Sequence, residues 1–279
     1  MNEPNDVRKQ EKTGEHGLND PGARYMYCIV DLGRDSDPGL VLGQIGLNNE
    51  TAYLIRYQDV CAVVHRCPPR PYTGDQEQVY AWVEAHQRVN NEAMKQFNVT
   101  IPMTFDTILH EDEVDPDGVV VHWLAEVYPK LREKLTRFEG CLEYGVEVLL
   151  RVDEVTQHRL RHSPELAKIA AQLAGKPPAV AYLMKQKLQK AVACEIDRYA
   201  ESTFKEFYSP ITAVADDVKV EKPKQTAPGT RMIINASCLL LKKKQPRLRE
   251  LLDELSSGTP GIEVRLTGPW PPYSFVGQL

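Results

Sequence analysis

Two α+β domains are predicted, on three observations. The chain has 279 residues, enough for two cores of ordinary size. From Leu142 onward, strand-type and helix-type apolar periodicities follow one another as β-α-β-β-α-β, the ferredoxin-like order in which an antiparallel sheet carries two helices on one face. Before Gly140 the same reading finds strands and two helices without that regularity, a second and less regular α+β unit. Gly140 suits the end of a helix and marks the boundary, which gives domains at 25–139 and 140–266, with a variable insert at about 153–178 and a tail at 267–279.

Residues 1–24 are polar, charged and without apolar periodicity, and are read as a disordered leader. Residues 25–30 form an apolar strand, and 31–46, with Asp37-Pro38-Gly39, a loop. Strands at 52–57 and 60–67 are separated by Gln58 and Asp59 as in a hairpin, and Pro68, Pro69 and Pro71 end the sheet there. Val79, Trp82, Val83, Val89, Ala93 and Phe97 recur at helical spacing over 75–97; Ile101, Met103, Phe105, Thr107 and Leu109 alternate over a strand at 99–109. After an acidic loop, Val120, Leu124, Val127, Leu131, Leu135 and Phe138 mark a helix that Pro129 should kink or divide.

In the second half Leu142, Tyr144, Val146, Val148 and Leu150 alternate as a strand, and a Pro-containing region at 153–178 leads into a long helix at about 180–207. Strands follow at 211–220 and 231–241, then a short helix through Leu248, Leu251, Leu252 and Leu255. The last strand spans 262–266, stopped by Gly268 and Pro269. Pro269, Pro271 and Pro272 then hold the chain extended, fixing the directions of Trp270, Tyr273 and Phe275. These aromatics either cover the chain's own sheet or anchor another protein, since clustered rings of low conformational entropy serve both ends.

A net charge of -5 with interspersed signs argues against a nucleic-acid partner. No apolar run suggests a membrane span and none near the start suggests secretion, so a cytoplasmic protein is expected, its six cysteines free thiols. Cys61, His65 and Cys67 share one face of a strand, but a zinc site needs four ligands, usually in two close pairs. Glu113-x-Asp115-x-Asp117-Gly118 imitates a calcium loop until Pro116 and Leu124, which stands where a bidentate Glu belongs. His158 and His162, one helical turn apart, lack the intervening Glu and third ligand of a hydrolytic zinc site. Gly39, Gly43 and Gly46 match no phosphate-binding loop; Ser209, Ser237 and Ser274 come without a triad pattern, and Lys242–Lys244 reads as a guarded strand end. No metal, cofactor or catalytic residue is therefore expected.

Four motifs occur in order: Tyr25-Met-Tyr-Cys-Ile-Val30, Ile101-Pro-Met-Thr-Phe-Asp-Thr107, Phe138-Glu-Gly-Cys-Leu-Glu-Tyr-Gly-Val-Glu-Val148 and Leu266-Thr-Gly-Pro-Trp-Pro-Pro-Tyr-Ser-Phe275. Together they resemble the GvpF/GvpL family of gas vesicle proteins over nearly the whole chain after the leader. Thr104 and Asp106 depart from the family's usual P-M-R-F-G-T, so no role of that Arg carries over. The resemblance implies a two-domain α+β protein with a modified ferredoxin-like C-terminal half, and a minor structural or assembly protein of gas vesicles without enzymatic activity. It implies binding to the hydrophobic main shell protein and to other accessory proteins; the residues themselves offer the exposed sheet edge or the aromatic tail, Trp270, Tyr273 and Phe275, as the candidate contact. An adaptor hub that joins accessory proteins without touching the shell protein is the alternative.

Overall fold

The computed structural model describes residues 22–32, 41–172 and 177–278. The expected leader lies outside the described residues up to residue 21. The first strand, β1, spans Ala23–Asp31 and so starts two residues earlier than expected. Arg24 hid this start: a charged residue reads as leader, yet its side chain is buried and its Nε donates to Asp117 at 2.5 Å. After β1 come β2 (Val41–Gly43), a 3-10 turn at Leu47–Asn49, β3 (Ala52–Tyr57) and β4 (Val60–Cys67). Then follow α1 (Gln76–Gln96), β5 (Thr100–Pro102), β6 (Ile108–Leu109) and α2 (Pro116–Phe138).

The strands form one antiparallel sheet in the order β2-β3-β4-β1-β5, with β6 also on β1. Helix α1 covers one face, where Val89 and Ala93 meet Tyr25, Tyr27 and Val63; α2 covers the other, where Leu124, Leu131 and Leu135 meet Met26, Ile29 and Val64. A strand buried on both faces has no polar side to show, which is why β1 reads as a continuous apolar run. Asp75 and Gln78 close a capping box at the start of α1, and Asp115 caps α2 by accepting from the Gly118 amide at 2.9 Å.

Further expectations change in this half. The 31–46 loop contains β2. The strand at 99–109 is two short ones, because Pro102 has no amide to donate and Asp106 takes a left-handed φ of +67°. Pro129 does not divide α2, whose buried stripe continues through Leu131, Leu135 and Phe138. The acidic loop at 111–115 is exposed, as expected, and its Asp115 also serves as a helix cap.

In the second half, β7 (Cys141–Arg151) leads to three helices, α3 (Val152–His162), α4 (Pro164–Ala171) and α5 (Pro178–Val214). Strands β8 (Asp217–Val220) and β9 (Thr230–Leu241), helix α6 (Gln245–Gly258), β10 (Ile262–Trp270) and the one-turn α7 (Tyr273–Val276) complete the chain. The sheet order is β10-β7-β9-β8, every pair antiparallel. One face packs on α5 and α6 through Val146, Val148, Ile234, Ala236, Phe207, Ile211, Leu248 and Leu252.

The described part of the expected insert is helical. Helix α5 runs on to Val214, so 211–214, expected as strand, is helix. Pro210 forfeits one hydrogen bond, while Ile211 extends the stripe of Ile196, Tyr199, Thr203 and Phe207 into the core. Strand β10 passes Gly268 and Pro269, expected to stop it, and reaches Trp270 through a bulge. Beyond it the tail is not extended throughout, since residues 273–276 turn once as α7.

Candidate functional site

The C-terminal segment starts on the open side of the second sheet and ends in the core of the first. Between Thr267 and Trp270 the register with β7 slips, and Trp270 pairs with Glu143. Gly268, at φ +112°, allows this: a Cβ there would stand 2.8 Å from the Glu143 carbonyl oxygen. Trp270 remains 38% exposed, at the end of a strand whose outer side carries no partner strand in the sheet order. Arg265 and Thr267 are exposed on the same strand, and Arg265 pairs with Glu263 at 2.8 Å.

Pro271 and Pro272 are buried, and their carbonyls accept from the Tyr273 amide at 2.7 Å and the Phe275 amide at 3.0 Å, winding the chain into α7. Ser274 fixes the turn: its amide and hydroxyl both donate to the buried Glu143 carboxylate, at 2.8 and 2.6 Å. Its hydroxyl oxygen also lies 2.9 Å from that of Ser237, which donates to Glu221 at 2.9 Å. Lys219 donates to the Ser274 carbonyl at 2.6 Å and sits 5.5 Å above the Phe275 ring; Lys134 of α2 donates to the Val276 carbonyl. Phe275 and Val276 enter the core of the first unit beside Ile101, Leu135, Phe138 and Leu239.

The three expected contact residues therefore part company. Phe275 is 3% exposed and belongs to the core. Tyr273 is half-buried, its hydroxyl sealed from solvent with no partner, and burial raises its pKa well above that of a free phenol. Of the three, Trp270 alone is exposed. Sequence reasoning missed Ser274 and Glu143 as the latch. Nothing in an alternating strand separates a carboxylate facing solvent from one that accepts two hydrogen bonds under a covering turn.

The other constellations are structural. Cys61 and Cys67 are buried thiols, and His65 offers Nε2 to the Tyr72 hydroxyl at 3.0 Å, its ring 5.0 Å from Tyr25 and 5.3 Å from Tyr27. Burial lowers the His65 pKa to about 4. His158 and His162 stack at 4.3 Å on α3, and Lys244 of the basic run pairs with Asp216 at 2.6 Å. All six cysteines are free thiols. Among the described residues no group of three or more His, Cys, Asp or Glu could hold a metal, and no helix is long and apolar enough to cross a membrane.

Comparison with known proteins finds that the model of the family "Gas vesicle synthesis protein GvpL/GvpF" matches residues 23–277. Gas vesicle protein L2 of Halobacterium salinarum is 27% identical over 92% of this chain and 92% of its own length. Gas vesicle protein L1 of the same organism is 29% identical over 97% of this chain and 94% of its own. Among solved structures, gas vesicle protein GvpF from Anabaena superposes with a TM-score of 0.71 at 18% identity, covering 92% of this chain and 99% of that one; GvpF from Microcystis aeruginosa gives 0.63 at 17%. At such identities the likeness speaks for the fold, a mixed helix and strand architecture with two sheets.

Proposed function

Because the chain belongs to the gas vesicle synthesis protein GvpL/GvpF family, we propose that it is a cytoplasmic assembly or minor structural protein of gas vesicles. It binds the hydrophobic main shell protein before or while that protein polymerises. The observation that carries the reading is the family match across nearly the whole described chain, joined to one exposed indole at the open end of an edge strand. A shell subunit with a strongly apolar face aggregates unless it is covered, and an unpaired strand edge next to a fixed aromatic ring can cover it. In this reading Trp270 is the contact, while Tyr273 and Phe275 hold the segment that presents it. We read the second half as a modified ferredoxin-like domain. Its support is that β9 lies between β7 and β8, while β7 lies between β9 and β10, the arrangement of two interleaved β-α-β units. Catalysis has no part in this account.

Coexpression tests it. The main shell protein is expected to stay soluble with this chain and to precipitate without it. Unchanged shell-protein solubility with no complex recovered contradicts shell binding, and recovery of accessory proteins alone would favour the adaptor reading.

A further inference from the structure

Helix α5 is about 55 Å long at 1.5 Å per residue, yet its buried residues begin only at Ile196. Helices α3 and α4 pack on each other and on α5, with Leu166 buried and Val155 beside Val192 and Ile196, making a three-helix arm rooted at Leu150, Tyr199 and Ala200. Along this half Val180, Tyr182 and Leu183 are 40%, 62% and 64% exposed, and the exposed Lys185, Lys187 and Lys190 follow within two turns. None of these three lysines has an ion pair or hydrogen bond among the described residues. At 3.6 residues per turn Val180, Leu183, Lys187 and Lys190 share one face of this helix, and a face that joins bare apolar side chains to unpaired charge of one sign is a surface awaiting an acidic partner.

Charge identifies that partner. Between residues 152 and 195 the sequence has seven Lys and Arg against four Asp and Glu, a balance of +3; with the whole chain at -5, the remainder carries -8. Its densest exposed part is the loop before α2, where Glu111, Asp112, Glu113 and Asp115 surround Val114, itself 42% exposed. Glu111 and Glu113 have no ion pair among the described residues, and Asp112, 95% exposed, meets only His110. Arm against arm would set lysines on lysines, which disfavours a two-fold contact.

We propose that the arm docks onto the acidic loop of a second copy of this chain, Val180 and Leu183 against Val114, Lys187 and Lys190 against Glu111, Asp112 and Glu113, with Lys185 adding to the positive field of the arm. The contact is head-to-tail, so each copy offers one arm and one loop and association can continue beyond two chains. It is small, charged and therefore weak and salt-sensitive. It is independent of shell binding, which uses a different element.

Analytical ultracentrifugation of the full chain tests it. At low salt the average mass should rise with concentration above the 31.6 kDa of one chain, and it should fall back in high salt. Reversing the arm (Lys185→Glu, Lys187→Glu, Lys190→Glu) or the loop (Glu111→Lys, Asp112→Lys, Glu113→Lys) should abolish the rise. Mixing the two reversed proteins should restore it, because each then meets its opposite. A wild-type chain that stays single at every concentration, or association that survives either reversal, overturns the proposal. So does a mixture of the two folded reversed proteins that fails to associate.

Discussion

Phe275 and Trp270 differ by five positions and by nearly everything physical. Phe275 fills a core site between the two units, so Phe275→Ala removes a buried ring and leaves a cavity. A loss of about 3–5 kcal/mol in unfolding free energy is expected by chemical denaturation. Two buried histidines set a second residue-scale property. His86 Nε2 donates to the Met103 carbonyl at 3.2 Å and its Nδ1 accepts from the Tyr25 hydroxyl at 2.8 Å, and burial lowers its pKa to about 4, as it does for His65. Tyr25, Tyr27, Tyr72 and Phe105 surround the pair. Because the unfolded chain binds these protons first, stability is full above the ordinary histidine value of 6.5, falls as pH drops, and levels off below about 4. Each histidine contributes on the order of 3 kcal/mol across that window. Stability measured against pH should show the slope, and His65→Asn or His86→Asn should each flatten it; an unchanged slope in both would refute the assignment.

Among elements, those with one exposed face were legible from periodicity alone. Helix α1 starts where Asp75 and Gln78 cap it, and β7 is the strand expected, its alternation broken by the buried Glu143 and Leu149. The misreadings fall where one residue type serves two states. Pro129 and Pro210 sit inside helices because tertiary packing on either side outweighs the lost hydrogen bond, and Pro269 lies in an edge strand, where no inner ladder bond is needed. Arg24 concealed a strand start because its partner, Asp117, is far away in sequence. In the C-terminal segment, the sequence pattern marked the aromatic residues but not their split into core and surface. That split depends on Glu143, Ser237 and Lys219, which come together only in the fold. The division of α5 into a free half and a buried half predicts its dynamics. By amide hydrogen exchange, residues before Ile196 should exchange much faster than 196–211, since local opening there exposes little apolar area. Uniform protection along α5 would contradict the arm.

At the scale of the molecule, the chain's last turn joins its two halves. Lys134 holds the Val276 carbonyl from the first unit, Lys219 holds the Ser274 carbonyl from the second, and Arg137 of α2 pairs with Asp217 of β8 at 2.6 Å. Trp270 is thus presented from a braced segment, so a partner engaging it pays little to order it. The most direct test of shell binding is size-exclusion chromatography of this chain coexpressed with the main gas vesicle shell protein, beside a Trp270→Ala variant. The indole is already partly exposed, so the variant should melt within a few degrees of the parent. The account predicts coelution for the parent and its loss in the folded variant; coelution unchanged by Trp270→Ala would contradict it.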